Sequence, residues 1–230
     1  VMCTYDTYDF LWPNYVKLWN KYWEPDTHNI VIGETISHTE NNFDYITPGK
    51  IRNNGKDLWG TRMKIALDKV ETDYVFMMLI DFYLWEIITN QYVEEQINFL
   101  NNNSGNKVIM DEISVHYKLR HFNGNYYKFE NHSDYQLTLM PSIWRTDFLK
   151  QSLRDDDDPW IFEVHGTSRI KGKDNGVYIH KRDESIIYNV IRKRRYIPEV
   201  WGSIKWTDFV EREGLEDITP YLSNNLTDWS

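Results

Sequence analysis

Apolar positions recur at helical spacing in three stretches of the chain. Phe10, Leu11, Tyr15, Leu18, Trp19, Tyr22 and Trp23 fall on one helix face, Trp59, Met63, Ala66, Leu67 and Val70 on another, and the same repeat runs through 85–100. Between them lie short apolar runs at 1–5, 29–33, 74–80 and 107–110, which read as buried strands. Segment 34–58 is polar and rich in Gly and Asn, and reads as loop. Strand and helix thus alternate through the first half. That pattern predicts an α/β fold of βαβ units with a mainly parallel sheet, whose ligands sit beyond the carboxyl ends of the strands. The loops after Tyr5, Gly33 and Ile80 are the places to search.

Beyond residue 112 the pattern changes. Segments 114–120 and 125–129 flank Asn123-Gly124, a dipeptide suited to a tight turn, and predict a small antiparallel hairpin insertion. Segment 135–140 reads as a further strand and 145–153 as a helix. Segment 184–194 reads as another helix with Ile186, Ile187, Val190 and Ile191 inward. The polar tail 224–230 reads as a mobile end or the start of a further segment, and the opening at Val1, already inside a strand, leaves the upstream context open.

Composition narrows the function classes. The chain has 230 residues, 16% of them aromatic, with 10 Trp, enough to build a compact core. No apolar run approaches the roughly 20 residues needed to cross a bilayer, so no transmembrane segment is expected. A net charge of −9 opposes broad association with nucleic acid or anionic lipid. A lone Cys3 excludes an internal disulfide and a cysteine-based zinc cluster, and suits a reducing, cytoplasmic setting. No GxGxxG follows a predicted strand, Gly166 to Lys173 misses the phosphate-loop spacing, and neither GxSxG nor HExxH occurs. Dinucleotide oxidoreductases, P-loop kinases, serine hydrolases and zinc proteases lose their sequence support. The chemistry must come from scattered carboxylates and bases.

Three constellations qualify. Asp81 follows the apolar run 75–80 and would place a hard oxygen at the sheet's carboxyl edge, where a divalent ion could bridge to a diphosphate; the plain alternative is a cap on a helix beginning near Tyr83. Lys50, Arg52, Lys56, Arg62 and Lys64 concentrate positive charge around Asn53, Asn54 and Gly55, suited to a phosphate or simply to a solvated face. Arg62 stands apart because helical spacing puts it beside Trp59 and Ala66. The third is the run Asp155-Asp156-Asp157-Asp158-Pro159-Trp160-Ile161-Phe162-Glu163. Pro159 can start a helix after Asp158, and Trp160 with Phe162 would surround Glu163 by apolar surface, raising its pKa toward that of a general base; the alternative is an acidic loop leading to a solvent-facing glutamate. Arg192-Lys193-Arg194-Arg195 reads as the basic end of a helix. His165 and His180 are metal ligands or structural histidines.

Taken in order, Tyr5-Asp6, Lys21-Tyr22-Trp23, Asp57-Leu58-Trp59-Gly60-Thr61-Arg62, Thr72-Asp73-Tyr74-Val75, Pro141-Ser142-Ile143-Trp144-Arg145 and Pro159-Trp160-Ile161-Phe162-Glu163 resemble bacterial and viral glycosyltransferases of the type-A nucleotide-sugar fold (GT-A). The resemblance spans residues 1–198 and implies a single Rossmann-like domain with a mixed, mainly parallel sheet flanked by helices. It implies a nucleotide-sugar-binding half over 1–110, an acceptor and catalytic half over 111–198, and a C-terminal extension over 199–230. It also implies transfer of a sugar from a nucleotide-diphosphate donor to a glycan or other hydroxyl acceptor, in a bacterial or virus-infected cytoplasm. Donor-binding residues would be Tyr5 and Asp6 beside the base and ribose, with Lys50, Arg52, Arg62 and Asp81. Asp81 would carry the metal-and-diphosphate role with Mn or Mg. Glu163 would be the acceptor base of an inverting displacement, and Trp144, Trp160 and His165 would face the acceptor, with core packing the alternative for the two tryptophans. The family shows paired acids at the strand end, whereas Leu79 and Ile80 precede a single Asp81 here, so Arg62 would share the stabilisation of the leaving diphosphate. A glycoside hydrolase using Asp81 and Glu163 is the rival enzyme. A carbohydrate-binding module drawing on the aromatics is the non-enzymatic one.

Overall fold

The structure, a computed structural model, describes residues 1–40, 42–111, 117–182, 185–192, 195–196, 204–216 and 218. The first half alternates as its pattern predicts. Strand β1 (Met2–Cys3) is followed by a 3₁₀ segment at Asp6–Leu11 and helix α1 (Trp12–Tyr22). Then come β2 (Ile30–Ile32), β3 (Asp44–Ile46), the hairpin β4 (Arg52–Asn53) and β5 (Lys56–Asp57), α2 (Trp59–Leu67) and β6 (Tyr74–Leu79). Next are β7 (Phe82–Leu84), α3 (Asn90–Asn102), β8 (Lys107–Asp111), β9 (Leu119–Asn123), β10 (Tyr126–Phe129), β11 (Ser142–Arg145) and α4 (Thr146–Ser152). A helical stretch, α5 (Pro159–Ile161), a π-helical turn at Phe162–Gly166 and α6 (Thr167–Ile170), leads to β12 (Val177–Lys181), β13 (Ile187–Asn189), β14 (Ile191–Arg192), β15 (Arg195–Tyr196) and α7 (Ile204–Glu213).

Nine strands form one mixed sheet in the order β3-β2-β1-β6-β11-β8-β12-β10-β9. β3, β2, β1 and β6 pair in parallel, as do β8 and β12. β11 runs antiparallel between β6 and β8, which brings its first residue, Ser142, opposite Met77 and Ile109 near the carboxyl ends of those strands. Strand alternation sorts the core into two layers. Val75 and Met77 join Trp59, Met63, Leu149 and Phe162 on one face, while Met78 joins Leu18, Trp19, Tyr22 and Leu100 on the other. Helix α7 closes on α1: Glu213 accepts from Lys21 Nζ at 2.6 Å and from the Tyr22 hydroxyl at 2.7 Å.

Several expectations are corrected. Segment 34–58 holds β3 and the β4–β5 hairpin, whose strands are too short to show periodicity. The helix expected over 85–100 begins at Asn90, where the Thr89 side chain accepts from the Tyr92 N–H at 3.1 Å. Phe82–Leu84 instead pairs with Ile187–Asn189, so no helix starts near Tyr83 for Asp81 to cap. Segment 135–140 is a turn, with Tyr135 at φ 56°; the strand lies just after it at Ser142–Arg145. Residues 187–189 and 191–192 are strands rather than helix, because Ile187 and Ile191 serve two separate ladders, and Arg192 pairs with Arg195 in a hairpin instead of ending a helix. Lys193, Arg194, residues 114–116 of the expected strand, residue 184 of the expected helix and the tail 224–230 lie outside the described residues. The Asn123-Gly124 turn is as expected, with Gly124 at φ 53°, and its hairpin forms the edge of the main sheet. Among the described residues no helix is long and apolar enough to cross a membrane.

The acidic run 155–158 is a structural joint. Asp157 is buried and takes both arms of the Arg169 guanidinium, at 2.8 and 2.6 Å, while Asp158 caps α5 by accepting from the Ile161 N–H at 2.7 Å. The Gly60 N–H donates to the Asp157 carbonyl at 2.8 Å. A Cβ at Gly60 would stand 1.9 Å from the Arg154 carbonyl oxygen, so α2 reaches this turn only through glycine. Gly60→Ala is expected to lower stability by about 1–3 kcal/mol through overpacking, read as an earlier urea midpoint at unchanged slope.

Candidate active site

Parallel pairing brings three strand ends to one edge of the sheet. Thr4, Tyr5 and Asp6 follow β1, Ile36 and His38 follow β2, and Ile80 follows β6; together they line a cleft enclosing about 270 Å³ of space, part of it open to solvent. The Asp6 carboxylate locks the loop after β2, accepting from the Thr35 N–H (2.9 Å), the Thr35 hydroxyl (2.6 Å) and the Ile36 N–H (3.2 Å), with Lys50 Nζ at 3.4 Å. Partial burial pushes this carboxyl up, but the Thr35 and Ile36 bonds and Lys50 outweigh it and bring its pKa down to about 2. Asp6 therefore carries its charge across the working pH range.

Beneath the cleft floor sits a buried charge cluster. The Arg62 guanidinium is 0% exposed, lies 4.5 Å from the centroid of the Tyr5 ring, and donates from Nη2 to Asp57 at 2.8 Å. Its Nε and Nη1 have no hydrogen-bond partner among the described residues. Trp59 Nε1 donates to Cys3 Sγ at 3.0 Å beside it, and burial raises the Cys3 thiol to about 11. Glu34, also buried, accepts from the Asp6 N–H at 3.1 Å. Arg62 thus supports Tyr5 from behind and is not on the cleft surface. Lys50 is the half-exposed cation at the cleft, and Arg52 is exposed on β4.

Asp81 stands one residue past Ile80. Its Oδ2 accepts from Asn189 Nδ2 at 3.3 Å, whereas its Oδ1 is buried without a partner among the described residues. Burial raises its carboxyl to about 7; the Asn189 bond opposes that rise and the charge of Glu163 adds to it. The two carboxylates are therefore electrostatic neighbours at the same sheet edge.

Glu163 lies in the π-helical turn and is half-buried. Its Oε1 accepts from the Thr138 hydroxyl at 2.9 Å and from the Leu139 N–H at 2.6 Å. The apolar walls expected around it are absent. Phe162 points into the core toward Trp59 and Trp144, and Trp160 is 55% exposed, so polar donors hold the carboxylate instead. Trp144 is also a core residue, 0% exposed, and does not face an acceptor. Trp160, within 6.5 Å of Tyr135 ring to ring, and exposed His165 share the Glu163 segment. His180 shares a hydrogen bond of 3.0 Å with the Tyr92 hydroxyl.

Thr138, Leu139, Asn189 and Glu34 were not singled out from the sequence. Glu34 had a signal, since it closes the loop start after an apolar strand as Asp81 does. Thr138 had none, because its turn reads as a strand. No group of three or more His, Cys, Asp or Glu side chains converges as a metal site among the described residues. Two carboxylate oxygens, Asp57 Oδ1 and Asp81 Oδ1, are buried without a hydrogen-bond partner among the described residues, and Asp81 Oδ1 is the one that follows β6.

Solved structures with the same fold include the crystal structure of S. aureus TarS 1–349 in complex with UDP. It has a TM-score of 0.53 and 15% identity over 95% of this chain and 65% of that one. TarS 1–349 alone gives 0.52 and 16% over 81% and 58%, and its complex with UDP-GlcNAc gives 0.50 and 14% over 92% and 64%. The chain spans less than two thirds of the length of each. No family model matches it, and no curated protein sequence does either. These structures share the architecture of this chain, so the Rossmann-like α/β fold implied by the sequence resemblance is the fold observed.

Proposed function

We propose that the chain is a glycosyltransferase that moves a hexose from a nucleotide-diphosphate-sugar to an acceptor hydroxyl with inversion, Glu163 acting as general base. The carrying observation is the Glu163 carboxylate, fixed by Thr138 and Leu139 at the sheet edge where Asp81 presents an unpartnered buried oxygen. The type-A fold and the UDP and UDP-GlcNAc complexes of TarS add support for a UDP-sugar donor.

In this reading the base and ribose occupy the cleft over Tyr5 and Asp6, and the diphosphate lies between Lys50 and Asp81. Both hydrogen bonds to Glu163 land on Oε1, which leaves Oε2 to take the acceptor's proton. The acceptor oxygen bonds to the anomeric carbon while the bond to the diphosphate oxygen breaks, and that electron pair leaves with the nucleoside diphosphate. One well-placed base suffices for such a displacement. Lys50 meets the charge that accumulates on the leaving group. Mg or Mn, held by Asp81 Oδ1 and the donor's own phosphates, would supply further neutralisation there. Trp160 and Tyr135 offer ring faces to a glycan acceptor one helical turn from Glu163.

A thermal-shift series with UDP, GDP, dTDP and CMP tests the donor assignment. UDP at 100 times its Kd is expected to stabilise the protein by about 2.7 kcal/mol, a rise of several degrees. No shift with any of the four would sink the nucleotide-sugar reading.

A further inference from the structure

The search for chemistry outside the cleft ends at a buried lysine. Lys107 opens β8 and is 0% exposed. It has no carboxylate partner among the described residues. Its Nζ lies 4.0 Å from the centroid of the Trp144 ring, the residue facing it across the sheet, and donates to the carbonyls of Thr138 (2.6 Å) and Gln136 (3.2 Å). Burying an ammonium costs several kcal/mol, and a methionine would fill similar space without that cost. Burial drives the Lys107 pKa well below the ordinary lysine value, with the Glu163 charge pulling the other way.

The Thr138 carbonyl and the Leu139 N–H are opposite ends of one peptide unit. That unit is planar, so fixing the direction of its C=O fixes the direction of its N–H. Lys107 grips the carbonyl end at 2.6 Å and Glu163 Oε1 grips the N–H end at 2.6 Å. A donor on the carbonyl also polarises the amide and strengthens its N–H as a donor. The same residue, Thr138, brings its hydroxyl to Glu163. The rest of the turn is tied elsewhere: the Leu137 N–H donates to Thr167 Oγ1 at 3.0 Å and Gln136 Nε2 to the Asn131 and Ser133 carbonyls. Among the described residues, only Lys107 donates to the carbonyl end of the peptide that faces the carboxylate.

We propose that Lys107 is a positioning residue for Glu163, aiming the 138–139 peptide so that the Leu139 N–H and the Thr138 hydroxyl hold the carboxylate toward the acceptor. The proposal rests on Glu163 being the base. Two readouts test it. In a crystal structure of Lys107→Met the 138–139 peptide is expected to rotate, carrying the Leu139 N–H beyond about 3.5 Å of Glu163; a retained bond overturns the proposal. In solution, UDP release from UDP-GlcNAc is followed in Lys107→Met, Glu163→Gln and the double variant, with the folded fraction taken from the stoichiometry of UDP titration. Lys107→Met is expected to lower kcat by about tenfold with UDP affinity within twofold, and to lower it no further in the Glu163→Gln background. An equal loss in both backgrounds means an ordinary structural lysine and overturns the proposal. Full turnover by Glu163→Gln alone removes the base assignment and this inference with it. If Lys107→Met does not fold, Lys107→Leu, which also lacks a donor, enters the same cycle with the same expected outcomes.

Discussion

Glu163→Gln is expected to lower sugar transfer by roughly 100- to 10,000-fold, the usual range for a general base, while UDP affinity stays within about twofold. The substitution isolates chemistry from structure because the amide oxygen of Gln can take the place of Oε1. It then still accepts from the Thr138 hydroxyl and the Leu139 N–H, so the turn and the π-helical segment keep their contacts. What disappears is the capacity to carry away the acceptor's proton, together with the negative charge beside Asp81. Transfer and UDP titration measured on one preparation separate the outcomes. Full turnover eliminates Glu163 as base, and loss of UDP binding together with turnover assigns it to the donor instead. Sugar binding that survives without any donor being consumed, in the variant and in the parent alike, favours a carbohydrate-binding module.

The sheet was legible where apolar runs were long enough to carry a period. Residues 74–79 and 107–111 announce buried strands, and Trp59 to Leu67 announces a helix, because each buries a continuous face. Where an element spans only three residues, as at Asp44–Ile46 or Phe82–Leu84, partner choice decides its state and the local sequence does not. The segment 184–194 illustrates the same limit. Ile186, Ile187, Val190 and Ile191 are all buried, which satisfies helical spacing, yet Ile187 and Ile191 reach the core from two different ladders.

The site divides along a similar line. Strand ends can be counted along the chain, so position alone points to the loops after Tyr5 and Ile80 and to Asp81, whereas Tyr5 and Asp6 are named by the resemblance. What holds each one could not be counted. Arg62 reads as a cation for a phosphate, but the residues that bury it, Tyr5 and Asp57, come from separate elements that meet only in the fold. The same holds for Glu163. Trp160 and Phe162 flank it in sequence, but the helix sends Phe162 to the core and Trp160 to the surface, and its true neighbours lie 24 and 25 residues away.

Asp81→Asn is expected to raise the stability of the nucleotide-free protein at pH 8 and to weaken its hold on UDP, a pair of changes in opposite directions. The folded carboxyl titrates near 7 against an ordinary value of 3.8. Between those values the unfolded chain has already released the proton that the folded chain retains, so stability falls as pH rises through that window. Above pH 7 the folded protein carries a buried charge, and the accumulated loss reaches up to about 4 kcal/mol. Asparagine carries no such charge, and its amide can donate to Asn189 Oδ1, which has no partner among the described residues. The gain should therefore be present at pH 8 and vanish below pH 4, read by urea unfolding in EDTA. In the opposite sense, the variant no longer offers an anionic oxygen to a cation bridging the diphosphate, and UDP affinity in magnesium is expected to fall at least about tenfold. A variant less stable than the parent at pH 8 would show that the carboxylate is well solvated or paired. Unaltered UDP affinity, with and without magnesium, would move Asp81 out of the donor site and leave the diphosphate to Lys50 alone.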